Sequence, residues 1–215
     1  MKRKIAYLYA FDGLADWEIG YLSAELASRR YLNGPAEAPE LRTFGKNRGE
    51  ILTMGGLRVR NDLGLGEIRV EDAALLILPG GDSWTDSRDH DGIAELAAAF
   101  LEAGIPVAAI CGATFALARA GLLDARRHTS NDLGYLKAVA PGYRGETLYR
   151  EEGAVADGGL VTASGLASLE FARETLRALD LMKRETLEAW YELNRTRSGE
   201  HYLALMASLR KEAAT

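Results

Sequence analysis

The sequence predicts an α/β fold in which a mainly parallel sheet is covered by helices on both faces. Two observations predict it. Short apolar runs alternate with segments of helical period, and three of those runs end in a glycine-containing turn, the rhythm of successive βαβ units. The chain also has 215 residues, 47% of them hydrophobic, which suits one such domain and would cramp two.

Residues 4–10 (KIAYLYA) read as a buried strand, and residues 16–30 follow with Ile19, Leu22 and Leu26 at helical spacing and Asp16 as N-cap. After the Asn33-Gly34-Pro35 loop, residues 40–44 are a second strand. Residues 51–62 carry Gly55-Gly56 between short extended pieces, which predicts a hairpin inserted at the sheet edge. Residues 74–78 are fully apolar and stop at Pro79-Gly80-Gly81, and an alanine-rich helix over 93–101 ends near Gly104. Residues 105–110 are the next buried strand; Cys111-Gly112-Ala113 turns the chain, and a helix over 114–120 closes at Gly121. A polar segment, 126–131, leads into a helix ending at Ala140. Residues 147–155 are weakly extended, residues 160–163 form the last core strand, and residues 168–179 form a helix.

Residues 1–181 therefore make the α/β domain, and residues 182–215 differ in kind. Leu187, Trp190 and Tyr191, then Tyr202, Leu205, Met206 and Leu209, form two amphipathic patterns outside the βαβ rhythm. They pack on their own domain or across a dimer.

Composition narrows the function. The net charge of −5 comes from mixed signs without a basic stripe, which speaks against nucleic acid as a partner. The apolar run after Met1-Lys2-Arg3-Lys4 breaks at Asp12, too short for a signal peptide or a membrane span. A single cysteine cannot form an intramolecular disulfide and points to a reducing, cytoplasmic setting.

Three motifs carry chemistry. Cys111 follows an apolar strand at a strand-to-helix turn, where a nucleophile is exposed at the carboxyl edge of the sheet and faces the positive end of the next helix. That setting favours thiolate over thiol. Gly112 and Ala113 are small enough for the turn to close; a lone cysteine is otherwise often an inert core residue. Gly80 and Gly81 follow the preceding core strand and could present amides to an oxyanion, or form a plain tight turn. With strand order 2-1-3-4-5, the turns after Ala10, Leu78 and Ile110 converge on one crevice. Glu18, in the first turn of the first helix, enters it; a protonated Glu18 would donate a hydrogen bond to an ionised Cys111. Without the crevice, Glu18 is only a partner of the helix dipole.

Together these residues resemble the ThiJ/PfpI superfamily. Asp16-Trp17-Glu18, Asp62 after Gly55-Gly56, the Leu-Pro-Gly-Gly turn, Ala-Ile-Cys-Gly-Ala, Gly121-Leu122-Leu123-Asp124 and Thr162-Ala163-Ser164-Gly165 occur in the order that superfamily shows, over residues 3–180. The resemblance implies a flavodoxin-like three-layer sandwich, a homodimer, a nucleophilic cysteine with a glutamate on the first helix, and no metal or organic cofactor. Its members include cysteine peptidases, chaperones, glyoxalase- or deglycase-type enzymes, isonitrile hydratases and oxidation sensors, so membership names no substrate.

One departure stands out. Many members carry a histidine beside the cysteine, and Asn131 stands where it would align; His128 lies three positions earlier, as a weaker candidate for reaching Cys111. His90 could approach the crevice, and His201 lies in the extension. Two readings follow. In one, Cys111 attacks a small carbonyl or amide substrate with Glu18 managing the proton and the Gly81 and Gly112 amides stabilising the oxyanion. In the other, Cys111 is oxidised in a stress sensor or chaperone. The related class I glutamine amidotransferases share the cysteine elbow, but their His-x-Glu pair does not follow the last core strand here.

Overall fold

A computed structural model of the protein describes residues 3–36, 38–85 and 87–210, with the side chains of Ser87 and Asp89 left aside. Its main sheet has seven strands in the order β5-β2-β1-β6-β7-β9-β8. They are β1 (Ile5–Tyr9), β2 (Glu40–Gly45), β5 (Leu63–Gly64), β6 (Ala73–Leu78), β7 (Val107–Ile110), β8 (Ala154–Asp157) and β9 (Leu160–Ala163). All neighbours pair in parallel except β8 with β9. The inner strands β2-β1-β6-β7-β9 reproduce the expected 2-1-3-4-5 order. β1, β6, β7 and β9 are nearly pure apolar runs because both of their faces are covered.

One layer packs Tyr7, Tyr9, Phe44, Phe100 and Phe115 around α2 (Ile93–Glu102), α3 (Ala113–Arg119) and α4 (Leu133–Val139). The other packs Leu8, Ile77, Ile110 and Val161 under α1 (Asp16–Ser28) and α5 (Ser168–Ala178). The residues over 182–209 form α6 (Arg184–Thr196) and α7 (Gly199–Arg210), and they join this second layer. Leu187, Trp190 and Leu205 are buried there, and Trp190 Nε1 donates to Glu25 Oε1 at 3.0 Å. Tyr202 departs from the expected stripe and is exposed.

Two local expectations are corrected. Asp16 is the first residue of α1, not its N-cap; its Oδ2 accepts from the Gly55 N–H at 2.6 Å and so ties the helix to the hairpin. That hairpin, β3 (Glu50–Leu52) with β4 (Arg58–Arg60), is a separate two-stranded sheet, and β5 forms the edge of the main sheet. No helix among the described residues is long and apolar enough to cross a membrane.

Candidate active site at Cys111

The site is assembled by the carboxyl ends of β1, β6, β7 and β9. β7 ends at Ile110, and Cys111 takes φ 58°, a left-handed conformation that a residue with a Cβ adopts at a cost of about 1–2 kcal/mol. The turn is pinned on both sides. Cys111 N–H donates to Ala163 O at 2.9 Å, and Cys111 O accepts from Thr114 Oγ1 at 2.6 Å. The side chain is thereby lifted out of the strand, half-buried, over the next helix.

Two side chains converge on the sulfur. Asn131 Nδ2 donates to Cys111 Sγ at 3.1 Å, while Asn131 Oδ1 accepts from Gly165 N–H at 2.8 Å. Glu18 is fully buried; its Oε2 accepts from Gly80 N–H at 2.5 Å. Its other oxygen, Oε1, has no nitrogen or oxygen donor and shares its surroundings with Cys111 Sγ. A Cβ placed on Gly165 would lie 2.9 Å from Sγ and 3.0 Å from Oε1, and one on Gly80 would lie 2.8 Å from Sγ and 2.7 Å from Oε2. Those two glycines are the space in which thiol and carboxyl meet.

The electrostatics reverse one expectation. Burial pushes the Cys111 thiol up to about 11, and the charge of Glu18 adds to the push, against the donors Asn131 and Gly112. The helix that follows has only seven residues and does not offset this. Burial also raises the Glu18 carboxyl, with the contacts to Cys111 and Gly80 opposing. Two acids facing each other in a desolvated site cannot both ionise readily. Burial and the facing carboxyl therefore both favour the Cys111 thiol over the thiolate.

The sequence-selected residues are placed as follows. Cys111, Glu18 and Asn131 meet. Gly112 contributes its N–H to the sulfur. Gly80 is corrected from oxyanion donor to anchor, because its N–H is committed to Glu18. Gly81 permits a close approach, since a Cβ there would lie 2.7 Å from Gly13 O. Ala113 is buried as the first residue of α3. His128 does not join them: its ring is buried, with Nδ1 at 2.7 Å from Arg126 O and Nε2 at 2.6 Å from Tyr143 Oη, so neither nitrogen is left for Cys111. Its backbone matters more. His128 O accepts from Arg150 N–H at 2.8 Å and Thr129 N–H donates to Thr162 Oγ1 at 2.9 Å, which holds the segment that carries Asn131 against β9. His90 is held in the opposite layer, stacked on Trp84 at 3.7 Å.

Sequence reasoning gives Gly165 no role beyond its motif, although the short Ser164-Gly165 turn after the last core strand is the same signature that marks Cys111 and Gly80. Trp17 also frames the site, with its Nε1 donating to Gly165 O at 3.0 Å.

Comparison with known proteins decides the family. The DJ-1/PfpI family model matches residues 3–178. The chain belongs to the DJ-1/PfpI family. It is 44% identical over 211 residues to a Bacillus subtilis protein named "Uncharacterized protease YoaZ", covering 98% of this chain and 100% of that one. The crystal structure of a thiJ/pfpI family protein from Bacillus anthracis superposes with a TM-score of 0.91 at 48% identity, over 97% of this chain and 98% of the other. That of a DJ-1 superfamily protein from Agrobacterium tumefaciens gives a TM-score of 0.79 at 33% identity, over 90% and 98%. The extension falls outside the family match, yet both Bacillus relatives run through it.

Proposed function

We propose that this DJ-1/PfpI protein uses Cys111 as a nucleophile on small electrophilic carbonyl or amide substrates, in hydrolase or glyoxalase/deglycase-type chemistry. The observation that carries the reading is the strained elbow, which sets Sγ between a donor, Asn131, and a buried carboxylate, Glu18. As Sγ forms a bond to the substrate carbon, its proton passes to Glu18 Oε1 and the carbonyl π pair moves onto oxygen. We assign stabilisation of the oxyanion to the Gly112 N–H and the second N–H of Asn131, the donors beside Sγ, and Glu18 returns the proton.

Carbonyl addition and oxidation by peroxide both draw on the thiolate, and Glu18 stands beside Sγ in either case, so turnover is what separates the two readings. The protease name of the Bacillus subtilis relative draws little support from this site, where no histidine reaches Cys111 among the described residues. Intact-mass measurement tests the proposal: methylglyoxal should be consumed with turnover by the wild type and not by Cys111→Ser. A stable gain of oxygen with peroxide, without turnover of any carbonyl substrate, would favour the sensor instead.

We also propose a homodimer. The support is an apolar surface beside the crevice, where Trp17, Met54, Leu57 and Leu166 are exposed around the Asp16–Gly55 tie and Gly165. Sedimentation of the wild type and of Trp17→Glu checks it; a wild-type monomer rules it out.

A further inference from the structure

A cavity lies across the sheet from Cys111. Alternation along β1 sends Leu8 into the layer that contains α1 and the cysteine, and Tyr7 and Tyr9 into the opposite layer. Beyond the end of β1, Tyr9, Phe11 and His90 line a cavity of about 370 Å³ that is bordered by Asp12, Lys46 and Glu50. None of Cys111, Glu18, Gly80 or Asn131 lines it.

One wall is aromatic and rigid. His90 is buried, stacked on Trp84 at 3.7 Å and set edge-on to Phe11 at 4.7 Å; its Nδ1 lies 3.1 Å from Tyr9 Oη and its Nε2 3.0 Å from Ser83 Oγ. The other side carries charges of both signs. Lys46 is in no ion pair among the described residues. Asp12 commits one oxygen to the Leu52 N–H at 2.7 Å, and Glu50 one to Arg58 at 2.8 Å. Asn61, only 4% exposed, completes the lining; its Nδ2 donates to Ala10 O at 3.3 Å and its buried Oδ1 has no partner. A buried acceptor left unmet costs about 1–3 kcal/mol, which marks this wall as incomplete without further contacts.

We propose that this cavity binds a free α-amino acid with an apolar or aromatic side chain. Lys46 takes the carboxylate, Asp12 and Glu50 take the ammonium, and the side chain lies against Tyr9, Phe11 and His90. A ligand of one charge would face a like charge at the same mouth, whereas a zwitterion matches both. A flat apolar group matches the fixed rings, which lose no freedom on contact. The site is independent of the chemistry assigned to Cys111.

Calorimetric titration of the full chain with phenylalanine and with leucine tests this. Saturable binding of one of them is expected, weakened at least about tenfold when N-acetyl-phenylalanine or phenylalaninamide replaces the free amino acid. Lys46→Gln and Glu50→Gln should each weaken binding about tenfold, and Cys111→Ser should leave it unchanged. Trp84, stacked on His90, gives a second readout as a fluorescence change that is absent in Trp84→Phe. No saturable binding of either amino acid, equal binding of the capped forms, or loss of binding in Cys111→Ser overturns the proposal.

Discussion

Replacing Asn131 by alanine removes the side chain that donates to Cys111 Sγ at 3.1 Å and accepts from Gly165 N–H at 2.8 Å. A hydrogen bond to a charged group contributes about 1.5–3 kcal/mol, and about 1.4 kcal/mol corresponds to one pKa unit. Loss of the donor should therefore push the thiol, already raised to about 11, higher still. Below that value the rate of alkylation follows the thiolate fraction, so iodoacetamide labelling at fixed pH should slow about 10- to 100-fold. Asn131→Asp keeps the acceptor for Gly165 and replaces the donor with a charge, and should slow labelling further. Both are read by intact mass over a pH series, with circular dichroism to show that the fold persists. Unchanged or faster labelling in Asn131→Ala would refute the assignment of Asn131 as the donor that holds the thiolate.

Four further outcomes are expected. Glu18→Gln should lower the thiol pKa and speed labelling, because the charge that opposes ionisation is gone, while turnover is lost with the base; slower labelling would mean that Glu18 is protonated beside a resting thiolate. Labelling of the wild type should rise with pH to a midpoint near 11, and because the folded thiol lies above its ordinary 9.0, the stability this burial confers is complete below pH 9, is lost as pH rises towards 11, and is absent in Cys111→Ser in a denaturant series. His128→Leu should cost about 1–3 kcal/mol of stability, since it strands Tyr143 Oη, yet leave the labelling rate within about twofold; a large drop in labelling would place His128 in the chemistry. Trp190→Ala should cost about 3–5 kcal/mol by opening a cavity between α1 and α6 and unpairing Glu25 Oε1 from its indole, measured by urea unfolding.

The fold was legible because its signals are local. Short apolar runs that stop at a glycine-containing turn read as strands buried on both faces, and the three that end near Ala10, Leu78 and Ile110 bring Glu18, Gly80 and Cys111 to one edge. The partners of single polar atoms were not legible. Whether Gly80 N–H would meet an oxyanion or Glu18 depends on the placement of a carboxyl 62 residues away in sequence, and Asp16 accepts from the distant Gly55 amide instead of capping its own helix. The upward push on the Cys111 thiol was not legible for the same reason: a helix end is visible in sequence, whereas burial and a facing carboxyl are properties of the assembled site.

Asn131 and His128 show how one change of residue alters what the site can do. The segment over 128–131 is clamped by Thr129 to Thr162 Oγ1 and Glu152 O, so whatever stands at position 131 is delivered to Sγ. An imidazole there could take a proton from sulfur and later activate water; an amide can donate but cannot accept a proton at neutral pH. Glu18 is left as the group beside Sγ that can carry the proton out and back, which suits reversible addition to a carbonyl better than peptide hydrolysis with an activated water. Asn131→His supplies the missing base without moving the backbone. If that lack is what limits hydrolysis, the variant should gain ester or amide hydrolysis above wild type while Glu18→Gln still abolishes turnover in it. No gain in hydrolysis, with labelling of Cys111 intact, would show that the base is not the limiting element.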